Sequence, residues 1–158
     1  MSTRYGLEIR AATGAEAPGL CELLQSAGLV ISARVLAERL EAMRHEQGAV
    51  LVAQEWGPPS GVVVLHWYRT LGAPQPTAQI TMLLVGADSR RRGVGRLLVK
   101  AASQAARVAG CDTLELLATA TQPELHDFCR ATGFNETGPR FVRALRRSSR
   151  GHGGDPSE

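Results

Sequence analysis

The chemistry most open to this chain is the binding of an anion, at Arg90-Arg91-Arg92-Gly93-Val94-Gly95-Arg96. An apolar run, Ile80-Thr81-Met82-Leu83-Leu84-Val85, precedes this stretch, and a long helical pattern follows it. Strand, glycine-bearing turn and helix start together make a place for a phosphate. The first N–H groups of a helix have no partner within it and lie at the positive end of its dipole, so a phosphate or pyrophosphate can take them as ligands. Gly93 and Gly95 lack Cβ atoms and let the backbone come close to a bulky anion. The arginines add charge-assisted contacts to phosphate oxygens.

The spacing narrows the ligand. A mononucleotide P-loop needs G-x-x-x-x-G-K-[ST], and no such Lys-Ser/Thr pair is present. A dinucleotide fingerprint needs G-x-G-x-x-G, but residue 98 is Leu. What remains is R-x-x-G-x-G between a strand and a helix. Three arginines beside a glycine also fit a solvated basic turn, so the flanks decide. The motif resembles the acetyl-CoA pyrophosphate loop of the GNAT superfamily of N-acetyltransferases, [RQ]-x-x-G-x-[GA]. Some forty residues on, His126-Asp127-Phe128-Cys129-Arg130-Ala131-Thr132-Gly133-Phe134 is similar to that family's A-H-R-F-Y-x-x-x-G-F stretch. Ile9-Arg10-Ala11-Ala12-Thr13 is similar to its first strand, I-R-x-A-T. The resemblance runs in order from about residue 7 to about residue 145.

The resemblance implies acetyl-CoA as co-substrate, held by Arg90, Arg91, Arg92, Gly93, Val94, Gly95 and Arg96 at the pyrophosphate. It also implies that the free backbone edge of Leu83, Leu84 and Val85 binds the pantetheine arm. The Thr77–Val85 strand and the strand after it splay apart in the family, and the thioester sits in the gap. The implied fold is α/β (α+β): a mixed central sheet of about six to seven strands flanked by about four helices.

Acetyl transfer to an amine has three needs. The amine must lose a proton, the carbonyl oxygen needs a donor as charge develops, and the leaving thiolate needs a proton. The resemblance assigns the oxyanion contact to a backbone N–H on the Thr77–Val85 strand, that of Leu83 or Leu84. It assigns the acid to a tyrosine four residues before the G-F glycine, and here that position is Cys129. A thiol can donate a proton, although an ordinary one loses its own near about pH 8.5. Cys129 is therefore either the acid or a small buried residue with water in that role. The family's strand glutamates are replaced by Gln79 and Thr81, which can position water or substrate but are not strong bases. His66, His126 and Glu115 are the other candidates. His126 sits where it could pack or cap, and Glu115 where it could face either solvent or the acceptor. The acceptor amine is not encoded in any legible motif. A non-catalytic or weakly catalytic acyl-CoA-binding sensor on the same fold is the alternative reading.

Composition sets outer limits. A chain of 158 residues, 44% hydrophobic and 21% charged, is long enough for a proper core. No apolar run approaches a membrane span, and no signal-peptide pattern is present. Cys21, Cys111 and Cys129 are odd in number and far apart, giving neither a disulfide framework nor a metal cluster. A reducing bacterial cytoplasm is the expected setting, with a homodimer as a candidate assembly. The net charge is +3, and Lys100 is the sole lysine. Basic residues crowd at 90–96 and 140–150 with few aromatics among them, which disfavours a single-strand nucleic-acid binder.

The positioning elements follow from periodicity and caps. One domain is expected over 1–147, with a disordered polar, glycine-rich tail over 148–158. Residues 7–10 read as a strand. A Thr13–Glu16 capping box opens a helix to about Ala27, which Gly28 stops. Ser32 caps a second helix to about His45. Ala49–Gln54 and Val62–Tyr68 read as a hairpin around Gly57-Pro58-Pro59-Ser60-Gly61. A strand over Thr77–Val85, a helix over about Gly93–Ala109 and a strand over Thr113–Leu117 form a right-handed crossover, so those strands should be parallel. A Thr121–Glu124 capping box opens a helix to about Ala131. Arg140–Leu145 reads as a last strand, with a short one near Asn135–Thr137.

Overall fold

A computed structural model describes residues 3–4, 6–90, 92–117 and 123–146. Arg91, Thr121 with its capping box, and the 148–158 tail lie outside the described residues. Six strands form one sheet in sequence order: β1 (Thr3–Arg4), β2 (Leu7–Ala11), β3 (Gly48–Gln54), β4 (Gly61–Tyr68), β5 (Thr77–Val85) and β6 (Thr113–Leu116). The α-helices among the described residues are α1 (Ala17–Ser26), α2 (Ala33–Met43), α3 (Val94–Val108) and α4 (Pro123–Ala131). The first five strands pair antiparallel, and β5 pairs parallel with β6 across the α3 crossover.

Local chemistry explains the starts and stops. The Thr13 hydroxyl accepts from Ala15 N–H, and the Glu16 carboxylate accepts from Thr13 N–H. This box opens a short 3₁₀ turn, Gly14–Glu16, and α1 follows with a proline in its first turn. The Ser32 hydroxyl caps α2 by accepting from Val35 N–H at 3.2 Å. After α1 and α4 the chain passes through left-handed turns at Gly28 (φ +84°) and Gly133 (φ +94°).

Alternation along the strands splits the core into two layers. Val63, Leu65, Ala78 and Ile80 face α3, where they meet Val94, Leu98, Ala102 and Ala106. Val52 and Val62 face α1 and α2, packing with Leu20, Leu23, Leu24, Leu36 and Leu40. The α3 helix comes close because its inner stripe carries alanines and because Gly61 leaves room. A Cβ on Gly61 would lie 2.9 Å from Leu98 Cδ1 and 3.1 Å from Val94 Cγ1.

Two expectations change. Arg140–Leu145 and Asn135–Thr137 do not join the sheet; described residues 134–146 carry neither helix nor ladder. Residues 140–146 do not alternate, since Arg143 shares a face with Phe141 and Leu145, and the described segment makes no ladder pairing. The sheet gains instead the two-residue β1, too short to show a pattern.

Candidate functional site

The site grows from an irregularity in β5. The β4–β5 register steps between Val64 and Leu65, so Val64 pairs with Met82 while Leu65 pairs with Ile80. Thr81 is the extra residue of a bulge, and it resets the alternation. Ala78 and Ile80 face α3, and so do Leu83 and Val85 beyond the bulge, while Met82 and Leu84 turn to the α1–α2 side.

The bulge also decides which backbone groups are available. Gly86 N–H donates to Ser60 C=O at 2.8 Å, which fixes the ladder phase. With Val62 opposite Leu84, the Leu84 N–H and C=O point into the β4 ladder. The N–H and C=O of Leu83 and Val85 therefore point the other way, toward β6. The β5–β6 pairing runs from Thr77–Thr113 to Ile80–Leu116 and closes with Leu117 N–H donating to Ile80 C=O at 3.2 Å. Beyond it β5 continues to Val85 with no described partner on that side. Of the two residues expected to supply an oxyanion donor, the ladder leaves Leu83 available and occupies Leu84.

At the end of β5 the chain turns through Gly86, a 3₁₀ turn over Ala87–Ser89 and an extended Arg90. Gly93 follows as the N-cap of α3 in the left-handed region, φ +79°. No side chain caps this end, and Leu97 N–H, donating to Gly93 C=O at 3.1 Å, is the first bonded amide of the helix. The amides of Val94, Gly95 and Arg96 thus have no helical acceptor and present a positive end. A Cβ on Gly93 would meet nothing within 4 Å, so the glycine answers the positive φ, and space lies over it. Gly95 has a different reason. A Cβ there would lie 3.2 Å from Phe128 Cε2 and 3.3 Å from its Cζ, so this glycine seats the α4 aromatic against the loop.

The arginines diverge. Arg92 pairs with Glu55 in the β3–β4 turn, while Arg90 and Arg96 are exposed. Arg96, Lys100, Ser103 and Arg107 follow one face of α3 and, with Thr132, line a groove of about 350 Å³. This basic wall continues the loop along the helix. Among the described residues, no cluster of His, Cys, Asp and Glu could hold a metal ion.

On the α1–α2 side of the sheet, beyond the helices, polar groups from three strands converge. The Glu115 carboxylate of β6 accepts from Gln79 Nε2 at 3.2 Å and from the Tyr68 hydroxyl at 3.4 Å. His66 Nε2 lies 3.1 Å from Thr81 Oγ1, the bulge residue. Partial burial and the neighbouring Glu115 charge push the Tyr68 phenol up. The sequence marks Gln79, Thr81, His66 and Glu115 separately, and the structure brings them together. No motif marks Tyr68; its signal in the sequence is its parity with His66 on β4. His126 and Cys129 lie half-buried on α4. Burial raises the Cys129 thiol above its ordinary value, against the opposing pull of Arg130, so the sulfur stays protonated near neutrality.

Comparison with known proteins bears on the fold. The family model described as Acetyltransferase (GNAT) family matches residues 19–134. A protein of Agrobacterium tumefaciens str. C58 assigned as an acetyltransferase superposes with a TM-score of 0.76 at 29% identity, over 86% of this chain and 99% of that one. The aminoglycoside N-acetyltransferase AAC(6')-Iy, solved in complex with CoA, gives 0.77 at 18% identity, over 93% of this chain and 100% of that one. An aminoglycoside acetyltransferase from an uncultured soil metagenomic sample, in complex with sisomicin, gives 0.73 at 18% identity, over 89% and 97% of the two chains. The latter two likenesses are of fold. No curated protein sequence matches with significance.

Proposed function

Because the chain belongs to the GNAT acetyltransferase family, we propose that it is an acetyl-CoA-dependent N-acetyltransferase. In this reading residues 1–147 form the catalytic domain, and the acetyl group passes directly from the thioester to an amine. The observation that carries it is the junction of two ligand-binding features at the end of β5: an uncapped α3 N-terminus behind Gly93, and a backbone edge at Leu83 and Val85 without a partner among the described residues. The amides of 93–96 would hold the pyrophosphate, and the basic groove along α3 the far phosphate of the nucleotide. Leu83 and Val85 would bond the amide-rich pantetheine arm as a neighbouring strand would.

The thioester supplies an electrophilic carbonyl carbon and a thiolate leaving group. The chain does the rest. The Leu83 N–H, on the open side, is the donor for the developing oxyanion. Glu115, held by Gln79 and Tyr68, receives the incoming ammonium and takes its proton directly or through water. His66 and Thr81 orient that water. The Cys129 thiol stands at the family's acid position and can return a proton to sulfur, with water as the competing donor. An acidic, partly exposed acceptor wall favours a cationic amine. The aminoglycoside enzymes among the structural neighbours make such polyamines reasonable first substrates.

Turnover over a panel of amines tests this reading. Release of CoA with some cationic amine is expected, at a rate that falls when Glu115 is neutralised. Tight acetyl-CoA binding with no turnover on any amine would instead favour a sensor built on the same fold.

A further inference from the structure

One arginine of the phosphate loop is already engaged. Arg92, which immediately precedes the N-cap Gly93, donates from Nη2 to Glu55 Oε1 at 2.5 Å. The Glu55 side chain is 21% accessible, against 53% for Arg92. One cation of the loop therefore faces a carboxylate instead of the space over Gly93. Two charges that cancel add little to the field at the α3 N-terminus, where a phosphate would bind.

The two partners differ in how far they can move. Glu55 lies in the turn between β3 and β4, and that turn is fastened at several points. Ser60 N–H donates to Ala53 C=O at 2.8 Å, and the Ser60 hydroxyl donates to the same oxygen at 3.2 Å. The Gln54 side-chain amide donates to Gly57 C=O, and its carbonyl accepts from Arg10. Pro59 is buried against α1, so closely that a Cβ on Gly19 would lie 2.5 Å from Pro59 Cδ. The same turn holds the start of the loop, where Gly86 N–H donates to Ser60 C=O at 2.8 Å. The carboxylate is therefore a fixed charge. Arg92 is a long, exposed side chain with N–H donors to spare. An ion pair this exposed is weak and opens readily.

We propose that Glu55 is an affinity-setting residue: it holds Arg92 in reserve and so limits the grip of the loop on the phosphates of CoA. This rests on the acetyl-CoA reading given above. CoA is part of the substrate and is also the product, so a loop with every cation committed to phosphate would retain the product and slow turnover. A fixed carboxylate that cancels one guanidinium shortens the stay of CoA. The β3–β4 turn, as well as the loop, then decides how tightly the co-substrate is held.

Calorimetric titration of CoA into four full-length proteins tests this: wild type, Glu55→Gln, Arg92→Gln and the double variant. Glu55→Gln should lower the CoA dissociation constant about tenfold, and Arg92→Gln should raise it by a similar factor. The double variant should return to within about threefold of wild type, because the two effects act through one pair. The gain in Glu55→Gln should fade at about 1 M salt, where screening sets in beyond about 3 Å. A Glu55 that served only to shape the turn would give the opposite sign: its removal would loosen CoA binding, and that overturns the proposal. A double variant as tight as Glu55→Gln also overturns it, since the gain would not then come from Arg92. CoA bound equally by all four proteins overturns this inference and leaves the acetyl-CoA reading standing, whereas a wild type that binds no CoA overturns both.

Discussion

Gly93→Asp separates the cost of folding the loop from the cost of binding at it. Gly93 is the N-cap of α3 with φ +79°, and a Cβ there meets nothing within 4 Å. Steric clash is therefore absent, and the folding penalty is the backbone strain of an L-residue in that region, about 1–2 kcal/mol. Asp is among the residues that tolerate this conformation, and its charge favours a helix N-terminus by about 0.3–1 kcal/mol. The net loss should be about 1 kcal/mol, a few degrees in melting temperature for a chain of this size. Binding is affected far more. A unit negative charge about 4 Å from a phosphate costs about 4 kcal/mol at a surface-like dielectric, close to a thousandfold in affinity. Gly93→Ala carries the same strain without the charge and should bind CoA within about tenfold of wild type. Calorimetric titration with CoA, paired with melting curves, reads both effects. If Gly93→Asp binds CoA as wild type does while its fold is intact, the pyrophosphate does not lie on this loop.

Three further perturbations address the rest of the structure. The Glu16 carboxyl is buried, which alone would raise its pKa, but Arg10 and the Thr13 amide and hydroxyl outweigh burial and lower it from 4.5 to about 2. Its stabilisation is therefore fully present above pH 4.5 and is lost as pH falls toward 2. Glu16→Gln should cost about 3 kcal/mol at neutral pH, and the gap in urea midpoints should close in acid; a pH-independent gap would refute the ion-pair origin. Glu115→Gln should raise the acceptor KM about tenfold through loss of a charged partner while leaving CoA affinity unchanged, and an unaltered KM for every amine would remove Glu115 from the acceptor site. Cys129→Ala should keep turnover within a few-fold at a cost of about 1 kcal/mol in stability, whereas a hundredfold loss at unchanged melting temperature would make the thiol the acid.

The sequence shows most clearly what is written locally. The Thr13–Glu16 box, the Ser32 cap, the glycine stops at 28 and 133 and the β3–β4 hairpin each depend on neighbours a few residues apart, and the structure has each of them. The phosphate loop was equally visible, because a strand, two glycines and a helix start are contiguous. The loop motif gives Gly95 to ligand approach, yet its nearest constraint is Phe128, thirty-three positions on; no local pattern reports that contact. The Thr81 bulge was invisible for a related reason. An extra residue in one strand is defined only against its partner, and it decides that Leu83, not Leu84, points its amide away from β4. Tyr68, Gln79 and Glu115 come from three strands, so their meeting waits on register. Arg140–Leu145 is the converse case: its apolar residues suggest a strand, but Arg143 shares a face with Phe141 and Leu145, and the described segment pairs with no strand.

Residue-resolved amide exchange with and without acetyl-CoA tests the central claim most directly. The account predicts new protection at Leu83 and Val85 and at the amides of Gly93 to Arg96, with Leu84 already protected by its ladder bond and unchanged. Acetyl-CoA that leaves those amides untouched, or protects a different surface, would contradict it.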